Sequence, residues 1–182
     1  MDWDVMLSDL ESSFDAERRA DLVAQSAELA EAEHASIEAV DRLRGSVGRP
    51  VHLRTRGGVP VDGVVTRVEP AYVLVDEGEG LQAIVPLAAV ATVVGLAGPA
   101  PRDARRRPAL GALLREIARR GARVRLVVGT GEVVGRLSRV GADHIDVALD
   151  PEGGVRARRA LGAGGAGVVS VMTAAIEVLR SR

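Results

Sequence analysis

The chain has no cysteine, no lysine and no asparagine, and only one tryptophan, one tyrosine and one phenylalanine among its 182 residues. Without cysteine there are no disulfides, no thiol nucleophile and no cysteine-ligated zinc or iron–sulfur site. Without lysine there is neither a P-loop lysine nor a Schiff base, and without asparagine there is no N-glycosylation sequon. Trp3, Phe14 and Tyr72 leave almost no aromatic surface for stacking nucleic-acid bases. No apolar run approaches the roughly 18 residues of a membrane-spanning helix. The missing disulfide framework and the lack of a secretory signal lead us to expect a cytoplasmic protein. All 24 basic residues are arginine, which beside abundant Ala, Gly and Val is the codon signature of a GC-rich bacterial genome. A hydrophobic fraction of 47% with 27% charged residues is globular, and the length allows one domain or two small ones.

A net charge of −1 conceals two opposed segments. Residues 1–47 carry a net charge of about −8, and residues 97–125 about +7. No Pro or Gly interrupts the chain between Asp2 and Arg44, and Ala, Glu, Leu and Arg dominate it, which predicts one helix over 3–44. At 1.5 Å rise it would be roughly 60 Å long. Its apolar positions Leu7, Leu10, Phe14, Leu22, Leu29, Ile37 and Leu43 are the candidate oligomerisation residues. Seven-residue spacing through Leu22, Leu29, Ser36 and Leu43 suggests a coiled coil.

The remainder is a repeat. Gly48–Thr55 aligns with Gly121–Val128, Gly63–Val68 with Gly135–Val140, Tyr72–Val75 with His144–Val147, and Val85–Val90 with Val171–Ile176. Each unit reads as five short strands. They are expected at 50–56, 61–68, 71–76, 81–86 and 90–95, then at 122–128, 132–140, 143–149, 154–160 continuing near 168–172, and 175–180. Gly63 and Gly135 fall inside strands, where a small barrel bends sharply. The resulting domain map is a helix over 1–47, a barrel over 48–96, an Arg/Pro linker over 97–108, and a short helix with a second barrel over 109–182. The expected class is α+β: a long N-terminal helix, then two tandem five-stranded small β-barrels separated by a linker and a short helix.

The spacing of Val124, Leu126, Gly131, Gly135, Val140 and Asp143–Leu149 resembles that of the Sm-like (LSm/Hfq) small-barrel family. The resemblance implies a bent five-stranded barrel and a role on RNA. Where that family places its second motif, this chain reads Val85-Pro-Leu-Ala-Ala and Val171-Met-Thr-Ala-Ala. Where it places a stacking aromatic, the chain has Val73 and Ile145.

Enzymatic chemistry is not expected. Gly162–Gly167 contains G-x-G-x-x-G, but an arginine-rich stretch precedes it and a Val-rich strand follows, which is not a dinucleotide fingerprint. His34, His52 and His144 fall on a helix and two unrelated strands, and Asp143, Asp146 and Asp150 read as a solvated face. No catalytic residue, metal or cofactor is assigned. The arginines are the candidate nucleic-acid contacts, as forks suited to phosphate oxygens: Arg102, Arg105, Arg106 and Arg107; Arg119, Arg120 and Arg123; Arg156, Arg158 and Arg159. The functional expectation is a non-enzymatic protein that binds the RNA, less so DNA, backbone. The alternative is a protein scaffold or adaptor that self-associates or takes a protein partner through its N-terminal helix, away from any membrane.

Overall fold

A computed structural model describes residues 3–100, 108–129, 131–150 and 167–181. The N-terminal segment is helical as its composition dictates, but in two pieces: α1 (Trp3–Ala35) and α2 (Ala39–Gly45). The interruption contains neither Gly nor Pro. The Ser36 hydroxyl donates to the Glu33 carbonyl at 2.7 Å, a local bond that competes with helix continuation. The break separates two compact units, Met1–Glu38 and Ala39–Arg182.

In the second unit the strands run β1 (Pro50–Thr55), β2 (Pro60–Val68), β3 (Tyr72–Gly78), β4 (Leu81–Pro86) and β5 (Val90–Val94). Helix α3 (Leu110–Arg120) follows. Then come β6 (Arg123–Val128), β7 (Gly131–Val140), β8 (His144–Leu149), β9 (Val168–Met172) and β10 (Ile176–Ser181). A short 3-10 turn precedes β5 and another precedes β10. The strand expected at 154–160 lies outside the described residues.

These strands do not close into two barrels. They form one open antiparallel sheet in the order β5-β1-β2-β3-β4-β10-β6-β7-β8-β9. The repeat is real in its register. Leu53 faces Val93 as Leu126 faces Leu179, and Val73 faces Val85 as Ile145 faces Val171. Even the irregularities repeat, between Arg54 and Thr55 on one side and Ile176 and Val178 on the other. What joins the halves is β4 against β10, with Ile84 opposite Leu179.

That joint replaces the expected pair of barrels because its strands are buried on both faces. Ala83 and Val85 of β4 lie in a core with Leu43, Val51, Leu53 and Val65, whereas Ile84 lies in a second core with Leu114, Leu126 and Ile145. β10 does the same, with Val178 in the first core and Ile176 and Leu179 in the second. Two cores sharing a wall cannot be separate barrels.

Each core takes one helix. α2 supplies Leu43, 2% exposed, and α3 lays Leu110, Leu113, Leu114 and Ile117 on the other. The coiled-coil expectation fails for a related reason. Leu43 is on α2 and inside the core of the sheet unit, so the stripe that joined it to Leu22 and Leu29 is cut after Ala35. Ile37 falls in the break and is half-buried.

Candidate functional site

The apolar stripe of α3 faces its core, so Glu116, Arg119 and Arg120 point outward at the helix's last turn. The helix ends on Gly121, whose φ of 60° lies in the left-handed region that favours glycine. Its N–H donates back to the Ala118 and Ile117 carbonyls. Two residues later the chain enters β6 at Arg123, directly opposite Arg136 of β7. Arg136 reaches the Gly121 carbonyl at 2.5 Å. The turn at Gly121 therefore gathers Arg119, Arg120, Arg123 and Arg136 on one surface.

Two carboxylates share this surface. Glu116 accepts from Arg120 Nε at 2.9 Å and pairs with Arg119. The Arg120 hydrogen bond, aided by the Arg119 charge, holds the Glu116 carboxyl below its ordinary range. Asp150 pairs with Arg123. Four guanidinium groups against two carboxylates leave a local positive excess.

Of the ten arginines expected at a nucleic-acid surface, the structure brings together Arg119, Arg120 and Arg123. Arg102, Arg105, Arg106, Arg107, Arg156, Arg158 and Arg159 lie outside the described residues. Arg136 was not anticipated; its signal was the repeat itself, which places it across the strand pair from Arg123. A shallow cleft of about 530 Å³ continues the surface along β6 and β10, past Arg125 and Arg180. Both are neutralised, Arg125 by Glu132 at 3.3 Å and Arg180 by Glu77 through contacts of 2.6 and 2.9 Å.

A second depression, about 300 Å³, lies between β3 and α3 and is lined by Arg67, Tyr72, Glu116 and Arg119. Beside it Arg67 donates to the fully buried Glu69 at 2.6 Å. Burial first, and then the Glu69 charge, push the Tyr72 phenol up; the Arg67 charge opposes them.

The remaining polar candidates do not converge. His52 bonds Asp62 at 2.9 Å and His144 bonds Asp143 at 2.8 Å, while His34 stands exposed on α1. Asp146 accepts from Ser170 and Asp150 is engaged by Arg123. Among the described residues no three His, Asp or Glu side chains are placed to hold a metal ion, and no helix is long and apolar enough to cross a membrane. The glycine-rich motif lies outside the described residues except for Gly167.

On α1, every described side chain is exposed. Of the expected oligomerisation residues, Leu7, Phe14, Leu22 and Leu29 are 53%, 64%, 59% and 63% exposed. The side chain of Leu10 is outside the described set.

No protein-family model matches the chain, and no curated protein matches it either.

Proposed function

We propose that this chain is a non-enzymatic scaffold whose acidic helical arm, α1, docks a protein partner. The observation that carries this reading is the exposure of Leu7, Phe14, Leu22 and Leu29 along one 33-residue helix. Burying each such side chain is worth about 1.5–3 kcal/mol. A helix in water gains most of its stability from packing an apolar face, so α1 has strong reason to be covered. Its charge selects the cover. Residues 3–35 hold nine acidic side chains against Arg18 and Arg19, so a second α1 is repelled. An apolar groove rimmed by cations is matched.

The test is a photo-crosslinking residue at Leu22 in the full chain. We expect an adduct to a protein with a basic surface, lost when Phe14 and Leu29 are both replaced by Asp. Adducts unchanged by that replacement, or no adduct, would refute the reading.

A second reading, backbone binding to RNA or DNA, is favoured by the arginines around Gly121. Affinity should then fall with salt on a slope of about −0.7 to −0.9 per phosphate contacted, with similar values for unrelated sequences. Replacing Arg119, Arg120 and Arg136 by Ser should flatten that slope. No nucleic-acid binding at about 50 mM salt removes this reading.

A further inference from the structure

We propose that the depression between β3 and α3 binds a small organic monocarboxylate, its apolar body on the floor and its carboxylate held by Tyr72, Arg67 and Arg119. This site is independent of whatever covers α1.

The floor is apolar. Leu74 of β3 and Ala112 and Leu113 of α3 line it, together with Pro108. A volume of about 300 Å³ stands at the small end of ligand pockets, so the body it takes is short, branched or a single ring.

Tyr72 supplies an independent sign of a ligand. Its side chain is 2% exposed and lines the depression. Among the described residues, however, no group hydrogen-bonds its hydroxyl. Buried hydroxyls in folded proteins ordinarily have a partner, and this one marks where an acceptor belongs. The two guanidinium groups ask for the same thing. Each carries five N–H donors. Arg67 engages Glu69 through Nε at 2.6 Å, and Arg119 engages Glu116 through one terminal nitrogen. The remaining donors of both have no partner among the described residues. Glu116, the one carboxylate in the lining, is already held by Arg119 and Arg120. Donors therefore outnumber acceptors. The charges set the valence of the ligand. Glu69 balances Arg67, while Arg119 and Arg120 exceed Glu116 by a single positive charge. A carboxylate meets that excess, and a phosphate dianion overshoots it.

The repeat shows that the sheet does not need this lining. Where β3 has Tyr72 and Leu74, β8 has His144 and Asp146. Both are satisfied within their own half, His144 by Asp143 at 2.8 Å and Asp146 by Ser170 at 2.6 Å. Only the half beneath α3 exchanges that polar pair for an apolar residue and an unpartnered phenol.

The probe is 4-methylpentanoate, with 4-methylpentanamide and 4-methylpentylamine as its neutral and cationic counterparts of one shape. Ligand-observed NMR on the full chain gives a dissociation constant for each. We expect the carboxylate to bind at about 1 mM or tighter, the amide at least about tenfold more weakly, and the amine not at all. Tyr72→Phe should weaken the carboxylate about three- to tenfold, the worth of one hydrogen bond. Arg119→Gln should remove the preference for carboxylate over amide, while Arg123→Gln, outside the depression, should leave it intact. Strand circular dichroism checks the fold of each variant. If Tyr72→Phe loses it, Arg119→Gln carries the test, since that side chain is 76% exposed. No carboxylate binding, an amine that binds as well, a folded Tyr72→Phe that binds like the wild type, or equal losses in Arg119→Gln and Arg123→Gln would each overturn the proposal.

Discussion

Gly63 and Gly135 hold the same place in the two halves, for the same reason. A Cβ on Gly63 would lie 2.1 Å from the Asp76 carbonyl oxygen, and one on Gly135 would lie 2.1 Å from that of Ala148. Neighbouring backbones approach too closely there for any side chain. Gly63→Ala and Gly135→Ala should each destabilise the sheet unit by about 1–3 kcal/mol, the usual cost of forcing atoms into a filled space, read as a lower urea midpoint. Tyr72 offers a second test. It is the one tyrosine of the chain, so ultraviolet titration reports it alone. Burial and Glu69 raise its pKa above 10.0, so the folded state holds that proton more tightly than the unfolded state. The stability this contributes is complete below the unfolded value and drains away as pH rises through the folded one. The titration midpoint should exceed 10.0 in the native protein and fall back in urea. Glu69→Gln should lower it only part of the way, because burial is the larger cause. A native midpoint at the ordinary value would refute this account of the pocket.

Among the elements, the break between α1 and α2 matters most for the boundary of the sheet unit. Composition favours helix from Trp3 to Arg44, and nothing in helix propensity marks Ser36–Glu38 as a stop. Beside the local Ser36–Glu33 bond stands a tertiary pull that a local sequence reading does not contain: Leu43 is drawn into the core of β1, β2 and β3. Truncation therefore has a sharp threshold. Removing residues 1–38 should leave the urea midpoint of the sheet unit unchanged. Removing 1–47 should cost about 2–5 kcal/mol through Leu43, as for other large buried side chains. Equal midpoints for the two truncations would show that α2 is no part of the core. The strands themselves were legible, because alternation at Val51, Leu53 and Thr55 and again at Val124 and Leu126 writes a half-buried face directly. Of the candidate surface, Arg119, Arg120 and Arg123 were legible as a charge cluster. The edges β5 and β9 were not, since an exposed Val94 reads like a half-buried Val93 until its neighbours are known.

For the whole molecule, the misjudged feature was closure. Ala83-Ile84-Val85 and Val178-Leu179 are unbroken apolar runs, the mark of a strand covered on both faces. In a repeat of short units they read equally well as barrel walls. Only pairing decides, and pairing made β10, the last strand, the sixth of ten across the sheet. Deleting residues 176–182 should therefore unfold both halves. It strips Val178 from one core and Ile176 and Leu179 from the other, so the loss of strand signal by circular dichroism should be general. Retention of a folded first half would refute the shared wall.

That placement also bears on how the protein is born. A ribosome lays down β4 long before its neighbour β10 is complete, with the 95 residues from Leu87 to Ser181 still to come. At roughly 5–20 residues per second this takes about 5–20 s. For that interval β4, and then β6, each has one edge without its partner, awaiting the same strand β10. Several chains on one messenger would offer these strands to one another, and a β10 inserted into its neighbour's gap would be a domain swap made during translation. Chaperone binding to the nascent chain, ending once β10 has paired with β4 and β6, is the cellular behaviour this topology calls for.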